Sequence, residues 1–267
     1  MKLSEIYAVA DKIAPKRLSD EYCEKFGTYD NSGVLVDCGE EIKGVVFSLD
    51  LSFAAIEKAM QERCNLIVTH HPAIYGKIGD ICVEDALGKK LITCIRNGIS
   101  VIAMHLNLDC AIGGVDECLQ SGICKATSTK KVENAQVMHP LSLGGYGRAY
   151  DVQKGTLQTL ALEIEKEFST KKILVYGENN KEITRVASFC GAGVDENSIA
   201  FAKAQGVDVI VSSDFKHHLL ALALESGLAV VILPHYASEH YGFEKYYKKI
   251  RQQLDIPCIY HTDTILL

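Results

Sequence analysis

The 267-residue chain contains no tryptophan and only five prolines and four methionines. No apolar run in it approaches the roughly 20 residues that a membrane-spanning helix requires. The start of the chain, residues 1–11, superficially resembles a signal sequence, but Ser4 and Glu5 interrupt its apolar part and Asp11 and Lys12 follow at once. We therefore expect an amphipathic first helix without a targeting role, and a cytoplasmic protein with no membrane partner.

Basic residues are fewer than acidic ones. Lysine and arginine total 28 against 34 aspartates and glutamates, which gives a formal net charge of −6. A nucleic-acid surface needs a basic stripe to neutralise phosphates, so a nucleic-acid partner is not expected. Hydrophobic residues make up 48% of the chain, enough for a substantial core in one large domain or two ordinary ones.

The ten cysteines form no C-x-x-C pair and lie mostly inside apolar stretches. Free cysteine in such places behaves as a small hydrophobic residue, so we expect reduced, buried thiols. Cys110 follows Asp109 and is the one thiol expected near the site described below, although not as a ligand.

Short β-branched runs alternate with helical stretches, the pattern of a layered α/β protein. Between about residues 121 and 137 the chain becomes polar and loses its periodicity. We place a domain boundary there, with an N-terminal α/β domain over 1–128 and a second α/β domain over 129–267. The last long helix is expected to pack back on the first domain.

Histidines follow three of the predicted strands. His70 and His71 end one apolar run, His105 ends the next with Asp109 four residues later, and His235 follows a third with Glu239 four residues later. Side chains of successive strand residues point to opposite faces, so His70 and His71 can serve one site only if the strand has just ended. Imidazole and carboxylate are ligands of zinc, iron, manganese or cobalt, and six of them exceed the needs of one tetrahedral ion.

The segment after Pro234 contains two overlapping histidine–glutamate pairs, His235 with Glu239 and His240 with Glu244. Either pair would share one helix face. The position of His235 directly after the apolar run favours the first pair, and a solvated helix face is the simpler interpretation of the second.

Two further segments follow the same logic with weaker signals. After the strand ending near residue 211, Asp214 either caps the next helix or joins Lys216 and His218 at the rim of the metal site. His218 and His240 are the candidates for proton transfer. The turn Cys190-Gly-Ala-Gly193 resembles a phosphate-binding loop but lacks the full glycine pattern.

These motifs together resemble the Nif-three-like family of dinuclear-metal proteins, whose members are often called GTP cyclohydrolase I type 2 homologues. The resemblance spans nearly the whole chain and rests on seven segments: Tyr29-Asp-Asn-Ser-Gly33, Ser48-Leu-Asp50, Thr69-His-His-Pro72, His105-Leu-Asn-Leu-Asp109 with Gly113-Gly-Val115, Cys190-Gly-Ala-Gly193, Ser213-Asp-Phe-Lys-His217 and His235-Tyr-Ala-Ser-Glu239. Pro234 and the Ser212-Ser213 pair depart from the family pattern without removing a ligand.

The resemblance implies two similar α/β domains with a dinuclear metal site in the cleft between them, and a homohexamer built as a trimer of dimers. It places the ligands of two divalent metal ions, with zinc, iron or manganese expected, on His70, His71, His105, Asp109, His235 and Glu239. The functional hypothesis is a metal-dependent hydrolase acting on a small anionic, phosphorylated or nucleotide-like substrate. The alternative is a metal-binding or regulatory protein without catalytic turnover.

Overall fold

The computed structural model describes residues 1–266, which divide into two compact units. The first unit contains Met1–Ala111 together with Phe243–Asp263, and the second contains Ile112–Gly242 and residues 264–266. Within this described range the helices, in chain order, are Leu3–Ile13 (α1), Lys16–Phe26 (α2), Phe53–Gln61 (α3), Ala86–Arg96 (α4), Leu106–Cys110 (α5), Val115–Ala126 (α6), Leu157–Glu167 (α7), Glu196–Ala204 (α8), His217–Glu225 (α9) and His235–Ile250 (α10), and a 3-10 turn covers Arg251–Gln253.

The strands of the same range are short except for one of twelve residues. In chain order they are Gly33–Val36 (β1), Val45–Ser48 (β2), Leu66–Thr69 (β3), Ser100–Ala103 (β4), Gln136–Pro140 (β5), Gly145–Thr156 (β6), Leu174–Tyr176 (β7), Glu182–Ser188 (β8), Val209–Ser212 (β9), Ala229–Ile232 (β10) and Cys258–Tyr260 (β11).

The first unit is built on a five-stranded sheet of order β1-β4-β3-β2-β11. Strands β4, β3, β2 and β11 are parallel, and β1 pairs with β4 in the antiparallel sense. Every residue of β2, β3 and β4 is buried, as expected for parallel strands covered by helices on both faces. Thr69 pairs with Ser48 and with Ala103, so the three central strands end at the same level.

The second unit has a six-stranded sheet of order β5-β6-β8-β9-β10-β7. Strands β8, β9 and β10 are parallel, whereas β5, β6 and β7 extend the sheet by antiparallel pairs. In both sheets three adjacent parallel strands thus form the centre. The predicted fold class, two layered α/β units, is confirmed.

The two units divide after Ala111, earlier in the chain than the predicted boundary at residue 128. Helix α6 packs against α7 and β6 and so belongs to the second unit. The polar stretch used for the prediction is the connection between α6 and β5, an internal loop of that unit. Sequence polarity marks exposed loops, and it does not distinguish a loop inside a domain from a linker between domains.

No helix among residues 1–266 combines the length and the apolar character needed to cross a membrane. The predicted amphipathic first helix is present as α1, with Leu3, Ile6 and Ala10 buried.

An ion pair joins α6 to β6 inside the second unit. The Nε of Arg148 donates to Asp116 Oδ2 at 2.8 Å, and the side chain of Asp116 is fully buried. Gly147 N also donates to Asp116 Oδ2 at 3.2 Å. Removal of the arginine would leave a buried carboxylate without its cation.

We expect Arg148→Met to lower the free energy of unfolding by about 3–5 kcal/mol, the usual effect of breaking a buried pair. Lys154→Met, on the same strand, is the control because Lys154 and Glu182 form an exposed pair whose loss costs less than about 1 kcal/mol. Urea unfolding measures both. Equal losses of unfolding free energy in the two variants would contradict a stabilising role for the buried pair.

Candidate metal centre

Three histidines of the first unit lie where its central parallel strands end. His70 and His71 directly follow β3, and both of their backbone N–H groups donate to the carbonyl oxygen of Leu49, just beyond β2. The Met104 N–H donates to Thr69 O at 2.9 Å, which brings His105 beside them. The carboxyl edge of a parallel sheet is the usual place for functional side chains in α/β proteins.

His70 is completely buried, and its Nδ1 lies 2.7 Å from the carbonyl oxygen of Met104. Because a carbonyl only accepts, Nδ1 carries a proton, and whenever the ring is neutral its lone pair is on Nε2. Nε2 lies 3.4 Å from Asp109 Oδ1, and the ring centroid lies 5.9 Å from that of Phe243. The imidazole is thus fixed in orientation and shielded from solvent.

His71 and His105 are held in the same way, but by carboxylates. The Nδ1 of His71 lies 2.8 Å from Asp50 Oδ1, and the Nδ1 of His105 lies 2.7 Å from Asp30 Oδ1. A histidine that binds a metal through one nitrogen usually donates its other N–H to a carboxylate or carbonyl. His70, His71 and His105 all have that arrangement.

One ligand nitrogen from each of these three histidines lies within 4.8 Å of the other two. The ring centroids are 5.0 Å apart for His70 and His71 and 5.4 Å apart for His70 and His105. Three imidazoles this close, each with its Nδ1 already committed to an oxygen, fit a divalent ion such as zinc, iron or manganese.

Asp30 is the most heavily bonded of the supporting carboxylates. Besides His105, it accepts hydrogen bonds from the hydroxyls of Ser19 at 2.6 Å and Ser32 at 2.5 Å. Burial alone would raise the pKa of Asp30, but the hydrogen bond and charge of His105 and the two serines outweigh it, and the pKa falls well below its usual value. Asp30 is therefore ionised whenever the protein is folded near neutral pH.

The second unit contributes a histidine and a glutamate at the carboxyl end of β10. His235 is the first residue of α10, and its Nε2 lies 2.9 Å from Oε2 of the buried Glu239 one helical turn later. Its Nδ1 lies 2.7 Å from Asp214 Oδ2, in the loop after β9. A fourth histidine thus has an oxygen acceptor at Nδ1 and its Nε2 beside a carboxylate.

The turn predicted to resemble a phosphate loop packs directly against this pair. Gly191 has φ +57°, and a β-carbon there would collide with Glu239 Oε1 and lie 3.4 Å from His235 Nε2. A β-carbon at Gly193 would collide with the hydroxyl of Tyr146, which donates to the carbonyl of Cys190. Close packing accounts for both glycines without a phosphate.

The two overlapping histidine–glutamate pairs have different surroundings. Glu239 is buried beside His235, whereas Glu244 forms a half-exposed ion pair with Lys248 at 2.9 Å. The ring of His240 stacks on Tyr236, with centroids 5.6 Å apart. A helical-surface environment for Glu244 agrees with the interpretation given above.

The other predicted rim residues are placed differently. Helix α9 begins at His217 with Lys216 at its N-cap and no side-chain cap, so the prediction that Asp214 caps this helix is wrong. Asp214 instead binds His235. His218 is exposed on α9, with its Nε2 3.8 Å from Glu196, and it belongs to none of the ligand groups within residues 1–266. Proton transfer by His218 or His240 stays a prediction.

Sequence reasoning did not assign roles to Asp30 and Asp50. Each lies in a segment that contributed to the family resemblance, but neither has a regular spacing to the histidine that it supports. One signal was available for Asp50, which follows the apolar strand β2 by two residues at the same sheet edge as the histidines.

Comparison with known proteins gives matches over the length of the chain. The model of a family described as Duf34/NIF3 (NGG1p interacting factor 3) matches residues 1–264. A protein of Methanocaldococcus jannaschii named GTP cyclohydrolase 1 type 2 homolog is 30% identical over 262 residues, which cover 97% of this chain and 98% of the relative. A protein of the same name from Clostridium perfringens is 29% identical over 260 residues, covering 96% and 93%. The resemblance inferred from the sequence is confirmed.

Solved structures give the same result for the fold. Reduced HcgD from Methanocaldococcus jannaschii superposes with a TM-score of 0.79 at 30% identity, with 97% of each chain covered. A Bacillus cereus protein related to NIF3 has a TM-score of 0.81 at 19% identity, covering 98% of this chain and 97% of that one, and supports the fold alone.

Metal content distinguishes the ligands from neighbouring residues. We expect His71→Ala or Glu239→Ala to lower the bound metal measured by elemental analysis, because each removes a ligand atom. His240→Ala and Glu244→Ala are the matched controls on α10 and should leave the metal content nearly unchanged. Loss of metal in the controls, with normal loading of the first two variants, would show that the wrong pair was chosen.

The carboxylates behind the histidines provide a second, more sensitive comparison. We expect Asp30→Asn to weaken metal binding about 10- to 100-fold, the usual effect of removing a partner that orients a ligand. Asp20→Asn, which affects only an exposed pair with Lys16, is the control. Competition with a coloured chelator measures both affinities, and equal affinities would contradict the orienting role of Asp30.

The ionisation of His235 in the metal-free protein is a further test. Burial alone lowers its pKa, but hydrogen bonds and charges from Glu239 and Asp214 outweigh burial and raise it from 6.5 to about 9. The resulting stabilisation is complete below about pH 6.5, the unfolded value, and is lost as the pH rises through about 9. NMR titration should show this shift, and Asp214→Asn should reduce it. A pKa at or below 6.5 would contradict the assignment.

Proposed function

The chain belongs to the Duf34/NIF3 family, and on this premise we propose that it is a dinuclear-metal-dependent hydrolase of a small phosphorylated or nucleotide-like substrate. The observation that carries the proposal is the arrangement of His70, His71 and His105. Three imidazole nitrogens lie within 4.8 Å of one another, and an oxygen atom holds the Nδ1 of every ring.

Two ions, rather than one, follow from the number of ligands. The first unit offers three imidazoles and Asp109, already a full tetrahedral set. His235 and Glu239 of the second unit repeat the same chemistry, an imidazole supported at Nδ1 beside a carboxylate. We propose that all six residues would hold a pair of divalent ions jointly, with imidazole and carboxylate ligands from both units.

Bound divalent ions supply Lewis acidity and activate water for hydrolysis. The residues of the chain then have separate tasks. The six ligands position the ions, while Asp30, Asp50, Asp214 and the Met104 carbonyl keep the imidazoles in the tautomer that offers Nε2. The carboxylates of Glu239 and Asp109 are themselves buried.

Charge alone does not select an anionic substrate here. Two divalent ions bring four positive charges, but five carboxylates contribute to the proposed site: Asp109 and Glu239 as ligands, and Asp30, Asp50 and Asp214 behind the histidines. We therefore propose that a phosphate or similar group is recognised by direct coordination to the ions. The printed name of the relatives, GTP cyclohydrolase 1 type 2 homolog, favours a nucleotide as the carrier of that group.

The activity is tested with protein of defined metal content on a panel of nucleotides and phosphate esters. We expect release of formate from a guanine nucleotide or of phosphate from an ester, and a rate at least about tenfold lower for His105→Ala. Formate and phosphate are measured separately, since they distinguish ring opening from ester hydrolysis.

The controls separate an inactive preparation from a protein without activity. His240→Ala, with unchanged metal content, shows whether that histidine transfers protons. If protein with confirmed metal occupancy turns over no member of the panel, a metal-binding or regulatory function replaces the hydrolase.

A further inference from the structure

Two tyrosines beside the histidine cluster are unusually exposed for their size. Tyr29 retains 54% and Tyr75 53% of its accessible surface, the largest exposed fractions among the aromatic side chains of the first unit. The two rings contact each other edge to face, with centroids 5.9 Å apart and an angle of 87°. We define Tyr29 and Tyr75 as the tyrosine pair.

The tyrosine pair adjoins the proposed metal ligands directly. The ring centroid of Tyr75 lies 6.2 Å from that of His105, at an angle of 88°. Tyr75 also follows the ligand His71 by only four residues, in the loop between β3 and α4. A ligand bound at His71 and His105 would therefore have the exposed ring of Tyr75 beside it.

Hydrogen bonds hold the tyrosine pair in place. The hydroxyl of Tyr75 donates to the carbonyl oxygen of Tyr29 at 3.1 Å, and the Asn31 side chain donates to the carbonyl of Ile74 at 2.6 Å. Between Tyr29 and Asn31 lies Asp30, which binds His105. The same three-residue segment thus fixes a ligand histidine and the loop that carries Tyr75. Exposed rings that are fixed in this way are suited to binding, because little side-chain entropy remains to be lost.

We propose that the tyrosine pair stacks against a planar heterocycle of the substrate, such as a purine base, while the reacting part of the substrate lies at His71 and His105. This inference rests on the proposed function and specifies its substrate class. Aromatic side chains stack on bases in a sequence-tolerant way, and removing one usually weakens binding by about 1–3 kcal/mol per base, or roughly 5- to 150-fold in affinity. The tyrosine pair would therefore determine specificity without taking part in catalysis.

Binding measurements test this separately from turnover. The chain has no tryptophan, so Tyr75→Trp introduces a single tryptophan at the tyrosine pair, whose emission can be excited selectively over that of the tyrosines. We expect guanosine 5′-monophosphate to quench this tryptophan and ribose 5-phosphate, which lacks the base, to leave it unchanged. Calorimetry should show that Tyr75→Ala weakens binding of the nucleotide at least about fivefold while binding of ribose 5-phosphate is unaffected.

Two control variants keep the result interpretable. Tyr75→Phe retains the ring but loses its hydrogen bond to the carbonyl oxygen of Tyr29, so it should bind the nucleotide clearly more tightly than Tyr75→Ala, which excludes simple misfolding. Phe53→Ala removes a comparably exposed aromatic residue, 41% accessible, from α3 and should have no effect. Nucleotide binding that is weakened by Tyr75→Ala but not by Phe53→Ala supports the inference even if no hydrolysis occurs.

Two results would overturn it. One is equal weakening of nucleotide and ribose 5-phosphate binding by Tyr75→Ala. The other is unchanged nucleotide binding together with a change in oligomeric state, measured by light scattering. In the second case the tyrosine pair, with the exposed Ile78, Ile81 and Val83 of the same loop, would be a protein-docking surface.

Discussion

The hydrogen bond at Nδ1 of each candidate ligand histidine is the interaction on which the candidate metal centre depends. An imidazole has two nitrogens, and a metal ligand needs a particular one of them deprotonated and correctly aimed. A carbonyl at His70 and carboxylates at His71, His105 and His235 make that choice in the fold itself. Within each unit the candidate ligands are thus oriented by backbone geometry and by aspartates that no simple ligand motif includes.

This organisation explains why the histidines lie at strand ends. Parallel strands that end at the same level bring residues distant in sequence to within hydrogen-bonding distance, as the pairing of Thr69 with Ser48 and Ala103 shows. The residue before His70, Thr69, still belongs to the fully buried strand β3. Directly after the strand, the chain is free to turn two successive imidazoles toward one place, and the backbone N–H groups of His70 and His71 both bind Leu49 O.

The ligand candidates could be predicted from sequence because apolar runs locate strands and a histidine directly after a run is a local signal. The choice of His235 and Glu239 over His240 and Glu244 rested on the same rule. Asp30 could not be found this way, because it contacts His105 across 75 positions of the chain, and contacts of that range leave no local pattern. Asp214 has a local pattern, but one that fits a helix cap as well as a histidine partner, and only the structure distinguishes the two.

A supporting carboxylate has a consequence for substrate selection. Every aspartate that fixes a histidine also adds negative charge near the ions, so stronger orientation of the ligands reduces the attraction of the site for anions at a distance. Such a site gains specificity from direct coordination and from neutral contacts. Residues 29–31 connect the two requirements, since Asp30 orients His105 while Tyr29 and Asn31 secure the uncharged, exposed ring of Tyr75. An aromatic surface attracts a flat heterocycle whatever the net charge of the site, a property that the proposed carboxylate-rich metal centre would otherwise lack.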